Sequence, residues 1–182
     1  MILVTTSRRP TGVIRTLCRD LANSFHGVIR VNRGKMSLDG IAERAIGLEA
    51  DRVIVVDRWH GEPGRISLFQ IASSGLRPVP PLMCLAGVRL RREFKEGKRN
   101  VKSSAITIEP EDSPELEKLA KHASQFFGLA ILSADEATGK GALMHFAFDS
   151  SRRPQITFLL LQQMVEIGPR ITLSKLIWEV SA

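Results

Sequence analysis

Apolar residues recur in two rhythms along the first third of the chain. Ile2–Thr6 is a short apolar, β-branched run of strand type. Thr11 can cap a helix whose apolar positions Val13, Ile14, Leu17, Cys18, Leu21 and Phe25 recur at steps of three and four residues. Arg15, Arg19 and Asn23 fall on its opposite face, and Gly27 ends it. Residues 28–31 then read as a strand, and Ser37 caps a second helix with Leu38, Ile41, Ala42, Ala45 and Ile46 on one face. The run RVIVV at 52–56 is continuous and apolar, as in strands of a parallel sheet buried on both sides. Strand–helix–strand–helix–strand implies right-handed crossovers and a sheet covered by helices.

Beyond Asp57 the rhythm changes. WHGEPG at 59–64 is turn chemistry, so 65–72 is expected to return as a hairpin strand. Pro78, Pro80 and Pro81 predict a loop before a strand at 82–90, and the basic stretch 91–102 divides an N-terminal half, 1–90, from a C-terminal half, 103–182. The second half opens with a strand at 105–108. Ser113 followed by Pro114 is a helix start, with Leu116, Leu119, Ala120, Ala123 and Phe127 as its buried stripe and Gly128 as its stop. The remainder reads as strands at 143–148, 156–161, 164–167 and 171–180. The expected class is therefore α/β with mixed sheets and flanking helices, in two halves that each carry strands and an amphipathic helix. A diverged duplication fits this pattern, although no residue-level repeat shows it.

The 182 residues hold 26 Lys and Arg against 19 Asp and Glu, a net charge of +7. With 43% apolar residues the chain can bury a real core. No apolar run is long enough for a membrane span, and the N-terminus lacks a basic region ahead of its apolar stretch. A soluble, cytoplasmic protein is expected. Cys18 and Cys84 sit in apolar periodic segments and read as buried thiols rather than a disulfide framework. The excess charge is concentrated: residues 1–35 carry seven basic side chains and one acid, and 89–102 carry seven against two. Two such stretches point to a polyanion partner. With no Tyr, and Phe and Trp mostly at apolar periodic positions, phosphate contacts and shape should dominate over base stacking.

Catalytic chemistry finds little support. His26, His60, His122 and His145 lie far apart, without His-x3-His, Cys-x2-Cys or His-Glu-x-x-His spacing, so no metal site is expected. Gly139-Lys140-Gly141 lacks both the first Walker glycine and a following Ser or Thr. No Gly-x-Ser-x-Gly elbow occurs. The carboxylate pairs Asp51/Asp57 and Asp135/Glu136 have no partner base, so neither enzymatic activity nor a cofactor is expected.

Two strand-to-helix loops are more informative. The first carries Thr6, Ser7, Arg8 and Arg9 into the helix start at Thr11, and the second carries Asn32, Arg33 and Lys35 into the helix capped by Ser37. Parallel strands would place both loops on one sheet edge. Free backbone N–H groups, the helix dipole and cationic side chains there make an anion site. The other basic stretch, with Lys95, Lys98 and Arg99, is flexible by composition and expected to contribute less per charge.

These same loops carry a family resemblance. TTSRRP at 5–10, DLANSF at 20–25, VNRG at 31–34, DRVIVVDRWHGEPG at 51–64 and VEIGPRITLSKLIWEV at 165–180 look like the motifs of the Brix-domain family of ribosome-biogenesis proteins. Together and in order they are specific, and they cover almost the whole chain. The resemblance implies two halves, each similar to the anticodon-binding domain of class II aminoacyl-tRNA synthetases. It also implies binding of rRNA or pre-rRNA during ribosome assembly without catalysis, alongside other assembly proteins, in the compact archaeal form. Ser7, Arg8, Asn32, Arg33 and Gly34 match its N-terminal motifs, and Gly168, Pro169 and Arg170 its C-terminal one, where Arg170 either contacts RNA or holds a structural ion pair. Residues 129–141 do not map onto the family pattern. Residues 35–56 also resemble part of the synthetase domain itself, so a stand-alone tRNA-binding accessory module is the alternative. A protein scaffold in the assembling ribosome is a third.

Overall fold

The computed structural model describes residues 1–59, 62–96, 101–110, 112–139 and 141–180. Its fold is mixed α/β, with three α-helices and eleven strands among the described residues. The chain divides into two compact units. One comprises Met1–Ala22, Gly27–Leu85 and Lys175–Ala182, the other Asn23–His26 and Ala86–Ser174.

In the first unit β1 (Ile2–Thr6), α1 (Gly12–Ser24), β2 (Val28–Arg30), α2 (Leu38–Ile46) and β3 (Arg52–Trp59) alternate as the sequence pattern predicts, and β4 (Glu62–Ala72) and β5 (Gly75–Arg89) follow. The strand order is β2-β1-β3-β4-β5. β1 runs parallel to both β2 and β3, and β3–β4–β5 is an antiparallel meander. All five residues of β1 are buried, because helices cover both faces of its part of the sheet. Leu3, Val53 and Val55 pack with Ile41 and Ala45 of α2. Ile14, Leu17, Cys18 and Leu21 of α1 are likewise buried. Leu38 and Ile46, expected on the buried face of α2, are instead exposed, since they stand at the two ends of a nine-residue helix.

The proline-rich segment is a strand, not the expected loop. Val79 pairs with Leu68 and Met83 with Ile66, so Pro80, Pro81 and Leu82 all stand opposite Ser67 at a break in the ladder. A bulge of this kind tolerates residues that have no N–H to donate. Cys84 is half-buried rather than buried.

The second unit contains β6 (Ser103–Glu109), α3 (Pro114–Phe127), β7 (Ala130–Ile131), β8 (Ala142–Phe148), β9 (Pro154–Leu160), β10 (Val165–Glu166) and the start of β11 (Arg170–Ile177). Its strand order is β7-β6-β8-β9-β11, with β10 paired to β9. β6 is parallel to β7 and β8, while β8–β9–β11 is antiparallel. Both units therefore repeat one topology, including a helix between their first two strands. The second has only a short turn where the first has α2, which is why 129–141 gave no helical or family signal. Ser113 caps α3, with Leu116 N–H donating to its hydroxyl at 3.4 Å, and Gly128 ends the helix at φ +69°. Phe126 is buried, and half-buried Phe127 stacks on Phe25 with ring centroids 4.1 Å apart.

Candidate nucleic-acid interface

Because β1 and β2 are parallel, the loops that follow them leave the same edge of the sheet. Hydrogen bonds fix that edge. Val31 N–H donates to Val4 O at 2.9 Å, the Thr5 hydroxyl to Val31 O at 2.8 Å, and Ser7 N–H to Val56 O at 2.9 Å. The first loop turns into α1 through Thr11, whose hydroxyl accepts from Ile14 N–H at 3.4 Å. The second turns into α2 through Ser37, whose hydroxyl accepts from Gly40 N–H at 3.0 Å.

Between the loops lies a cavity of about 290 Å³ lined by Thr6, Arg8, Pro10, Arg15, Arg30, Asn32, Arg33 and Gly34. Four arginines thus converge on the N-terminal end of α1, and no carboxylate among the described residues lines the space. Thr6, Arg8, Asn32 and Arg33 are brought together as the sequence predicts. Arg15 and Arg30 are additions. Arg15 lies four residues beyond the cap, and its guanidinium folds back to donate to Pro10 O at 3.1 Å. Arg30 donates to Asn32 Oδ1 at 2.7 Å. Helical periodicity places Arg15 merely opposite the core, whereas its reach back over the first turn brings it to the loop. Ser7, Arg9 and Lys35 do not line the cavity; Arg9 and Lys35 are exposed beside it in sequence only.

Arg33 differs from its neighbours. It is only 8% exposed, and its guanidinium donates to Met36 O at 2.8 Å and to Thr6 O at 3.3 Å. It ties the end of β1 to the approach of α2, so two of its five N–H donors are spent inside the protein. Burial, then the Arg8 charge, push the guanidinium below its usual range, with Asp57 opposing. The Asp57 carboxylate is bound by Arg65 at 2.8 Å and by Arg58 N–H at 2.8 Å. Burial raises the Asp57 pKa, but the hydrogen bonds from Arg65 and the Arg58 amide, with the Arg65 charge, bring it below the ordinary carboxylate range. Its hydrogen bonds thus suit a structural anion. Among the described residues no three His, Cys, Asp or Glu side chains group as a metal site.

Lys95 and Arg170 belong to the second unit. Lys95 is exposed, whereas Arg170 pairs through two nitrogens with both carboxylate oxygens of Glu166. Lys98 and Arg99 lie outside the described residues. No described helix is long and apolar enough to cross a membrane.

No family model matches the chain. It is similar, however, to two archaeal proteins named "Probable Brix domain-containing ribosomal biogenesis protein". The one from Aeropyrum pernix is 32% identical over 105 residues, which are 58% of this chain and 58% of that protein. The one from Pyrobaculum aerophilum is 25% identical over 138 residues, 75% of this chain and 73% of that protein. The matched segment thus spans less than two thirds of the Aeropyrum relative. The fold match is longer: a crystal structure of a probable ribosomal biogenesis protein from Aeropyrum pernix superposes with a TM-score of 0.79 and 26% identity, over 97% of this chain and 98% of that one. The archaeal Imp4-like protein Mil shares the fold, with a TM-score of 0.68 at 20% identity. Over nearly its full length the chain is thus similar in fold to a probable ribosomal biogenesis protein, and over 58–75% of its length it is similar in sequence to Brix domain-containing ribosomal biogenesis proteins.

Proposed function

We propose that this protein is a non-enzymatic, cytoplasmic rRNA-binding factor in ribosome assembly or pre-rRNA processing, acting beside other assembly proteins. In this reading the arginine-lined cavity at the carboxyl edge of β1 and β2 holds an RNA phosphate. The observation that carries it is the convergence of Arg8, Arg15 and Arg30 on a helix start, in a cavity whose wall is tied by buried Arg33, with no described carboxylate among them. Such a constellation attracts phosphate through charge and through fixed N–H donors. The names of the relatives support the cellular role. The topology repeated in the two units supports a duplicated architecture, which uses a length that a lone tRNA-binding module would not need.

The test is binding of rRNA and tRNA fragments over a salt series by the wild type and by Arg8→Ser/Arg30→Ser. Wild type should recover rRNA precursors in preference to tRNA. The variant should bind every RNA more weakly, with the slope of log K against log salt flattened by roughly 1 to 2 as phosphate contacts are lost. A variant that binds like wild type overturns the cavity as the phosphate site, and preferential recovery of tRNA overturns the assembly role.

A further inference from the structure

The Gly168–Arg170 turn and the first residues of the basic stretch form one packed assembly within the second unit. Arg91 to Glu93 is a 3-10 turn, closed by Leu90 N–H donating to Glu93 Oε2 at 2.6 Å. The Arg91 guanidinium is buried and donates through Nε to Gly168 O at 3.0 Å and through Nη2 to Val101 O at 3.2 Å. A single side chain thus pins the start of the basic stretch both to the Gly-Pro-Arg turn and to Val101.

Phe94 closes the assembly. Its ring lies so close to Gly168 that a Cβ there would sit 2.5 Å from Cδ2 and Cε2, and Gly168 has φ +66°. Both the close approach and the left-handed backbone demand glycine. The guanidinium of Arg89 stands 4.4 Å from the Phe94 centroid and that of Arg170 5.6 Å, so the ring is held by two cations. Arg170 is fixed in turn by its two-pronged pairing with Glu166, which also accepts from the Thr157 hydroxyl. Burial alone would push the Glu166 carboxyl up. The hydrogen bonds from Arg170 and Thr157, with the Arg170 and Arg89 charges, bring it below its usual range.

Arg92 and Lys95 project from this frame as exposed cations, while the nearby Glu93 carboxylate is turned to the Leu90 amide. Lys102 carries a depressed pKa from burial and from the Arg91 charge, as expected where positive charge accumulates.

We propose that the Gly168–Arg170 turn is a clasp that seats the Arg91–Phe94 turn and thereby presents Arg92 and Lys95 as a second, preformed phosphate-binding surface, Arg170 itself making no RNA contact. The inference rests on the RNA-binding reading above. It revises the expectation of a flexible chain for Lys95 alone, Lys98 and Arg99 lying outside the described residues. Anchoring at Arg91 and Phe94 lowers the ordering cost on binding, so each charge contributes more than a loose one would.

The test uses the full chain and a fluorescein-labelled RNA hairpin of mixed sequence, titrated over a salt series. Glu166→Gln is the discriminating variant, because it adds one positive charge and frees Arg170. If Arg170 were an RNA contact, binding would tighten or stay unchanged. A clasp requires the opposite, an affinity lower by about fivefold as the second surface loses its preorganisation. Arg92→Ser/Lys95→Ser should flatten the salt slope by roughly 1 to 2. Adding Glu166→Gln to that pair should then change affinity no further, since the clasp acts only through the two cations. An equal loss in both backgrounds would show general structural damage and overturn the proposal, as would unchanged or tighter binding by Glu166→Gln alone. Arg170→Lys, which keeps the charge but loses the two-pronged pairing, substitutes if the glutamine variant does not fold: a loss of affinity that vanishes in the Arg92→Ser/Lys95→Ser background supports the clasp, and unchanged binding, or an equal loss in both backgrounds, overturns it. Wild-type protein that binds no RNA would defeat the underlying functional reading, whereas wild-type binding insensitive to Glu166→Gln defeats the clasp alone.

Discussion

Replacing Arg33 by methionine separates a phosphate contact from a structural tie. Methionine keeps most of the apolar stem and deletes the donors, so the change isolates the hydrogen bonds to Met36 O at 2.8 Å and Thr6 O at 3.3 Å. A hydrogen bond from a charged donor contributes about 1.5 to 3 kcal/mol, and a stranded buried carbonyl adds to the loss. The first bond merits full weight, and the longer one about half. Water entering from the neighbouring cavity can resolvate part of the exposed carbonyl surface. The expected destabilisation is therefore about 3 kcal/mol, read as a lower urea midpoint at unchanged m value by circular dichroism. RNA affinity should fall, because the two loops lose their tie, but the salt slope at low temperature should stay within about 0.5 of wild type, since no phosphate contact is removed. Arg8→Ser is the reference. It should leave stability within about 0.5 kcal/mol, as expected for an exposed side chain, and flatten the slope by about 1. An Arg33→Met protein as stable as wild type whose slope drops by about 1 would refute the structural assignment.

The Cys18 thiol is pushed up from 9.0 to about 12 by burial, with Arg30 opposing. A folded-state pKa above the unfolded one gives stability that is complete below pH 9.0 and lost as pH rises toward about 12; urea melts across that window should show a decline that Cys18→Ala removes. Ellman's reagent should reach half-buried Cys84 in the native protein and Cys18 only on unfolding, so equal labelling of both thiols would contradict the burial of Cys18. Ser113→Ala removes the cap of α3 and should cost about 0.5 to 1 kcal/mol, toward the lower end for a cap bond of 3.4 Å, measured by chemical denaturation.

Local chemistry made part of the molecule legible without coordinates. The alternation of β1, α1, β2, α2 and β3 follows from periodicity and from caps at Thr11 and Ser37, each of which involves residues only a few positions apart. Two parallel strands followed by basic loops also suffice to place Thr6, Arg8, Asn32 and Arg33 on one edge. The prolines of β5 misled because their tolerance depends on a break in the ladder opposite Ser67, which belongs to another strand. Strand β7 is two residues long, too short for any period to register.

Only the tertiary structure decided which cations are spent and which are available. Arg33 and Arg8 are both arginines in basic loops, yet Arg33 is buried and bonded to a carbonyl 27 residues away while Arg8 is left exposed. Arg91 and Gly168 meet across 77 positions, and the need for glycine at 168 becomes visible only when the Phe94 ring is seated against it. Composition determines how much positive charge the chain carries and roughly where. Whether a guanidinium satisfies a distant backbone oxygen or faces solvent is settled by packing, because burying an arginine is tolerable only where acceptors are already in place to replace water.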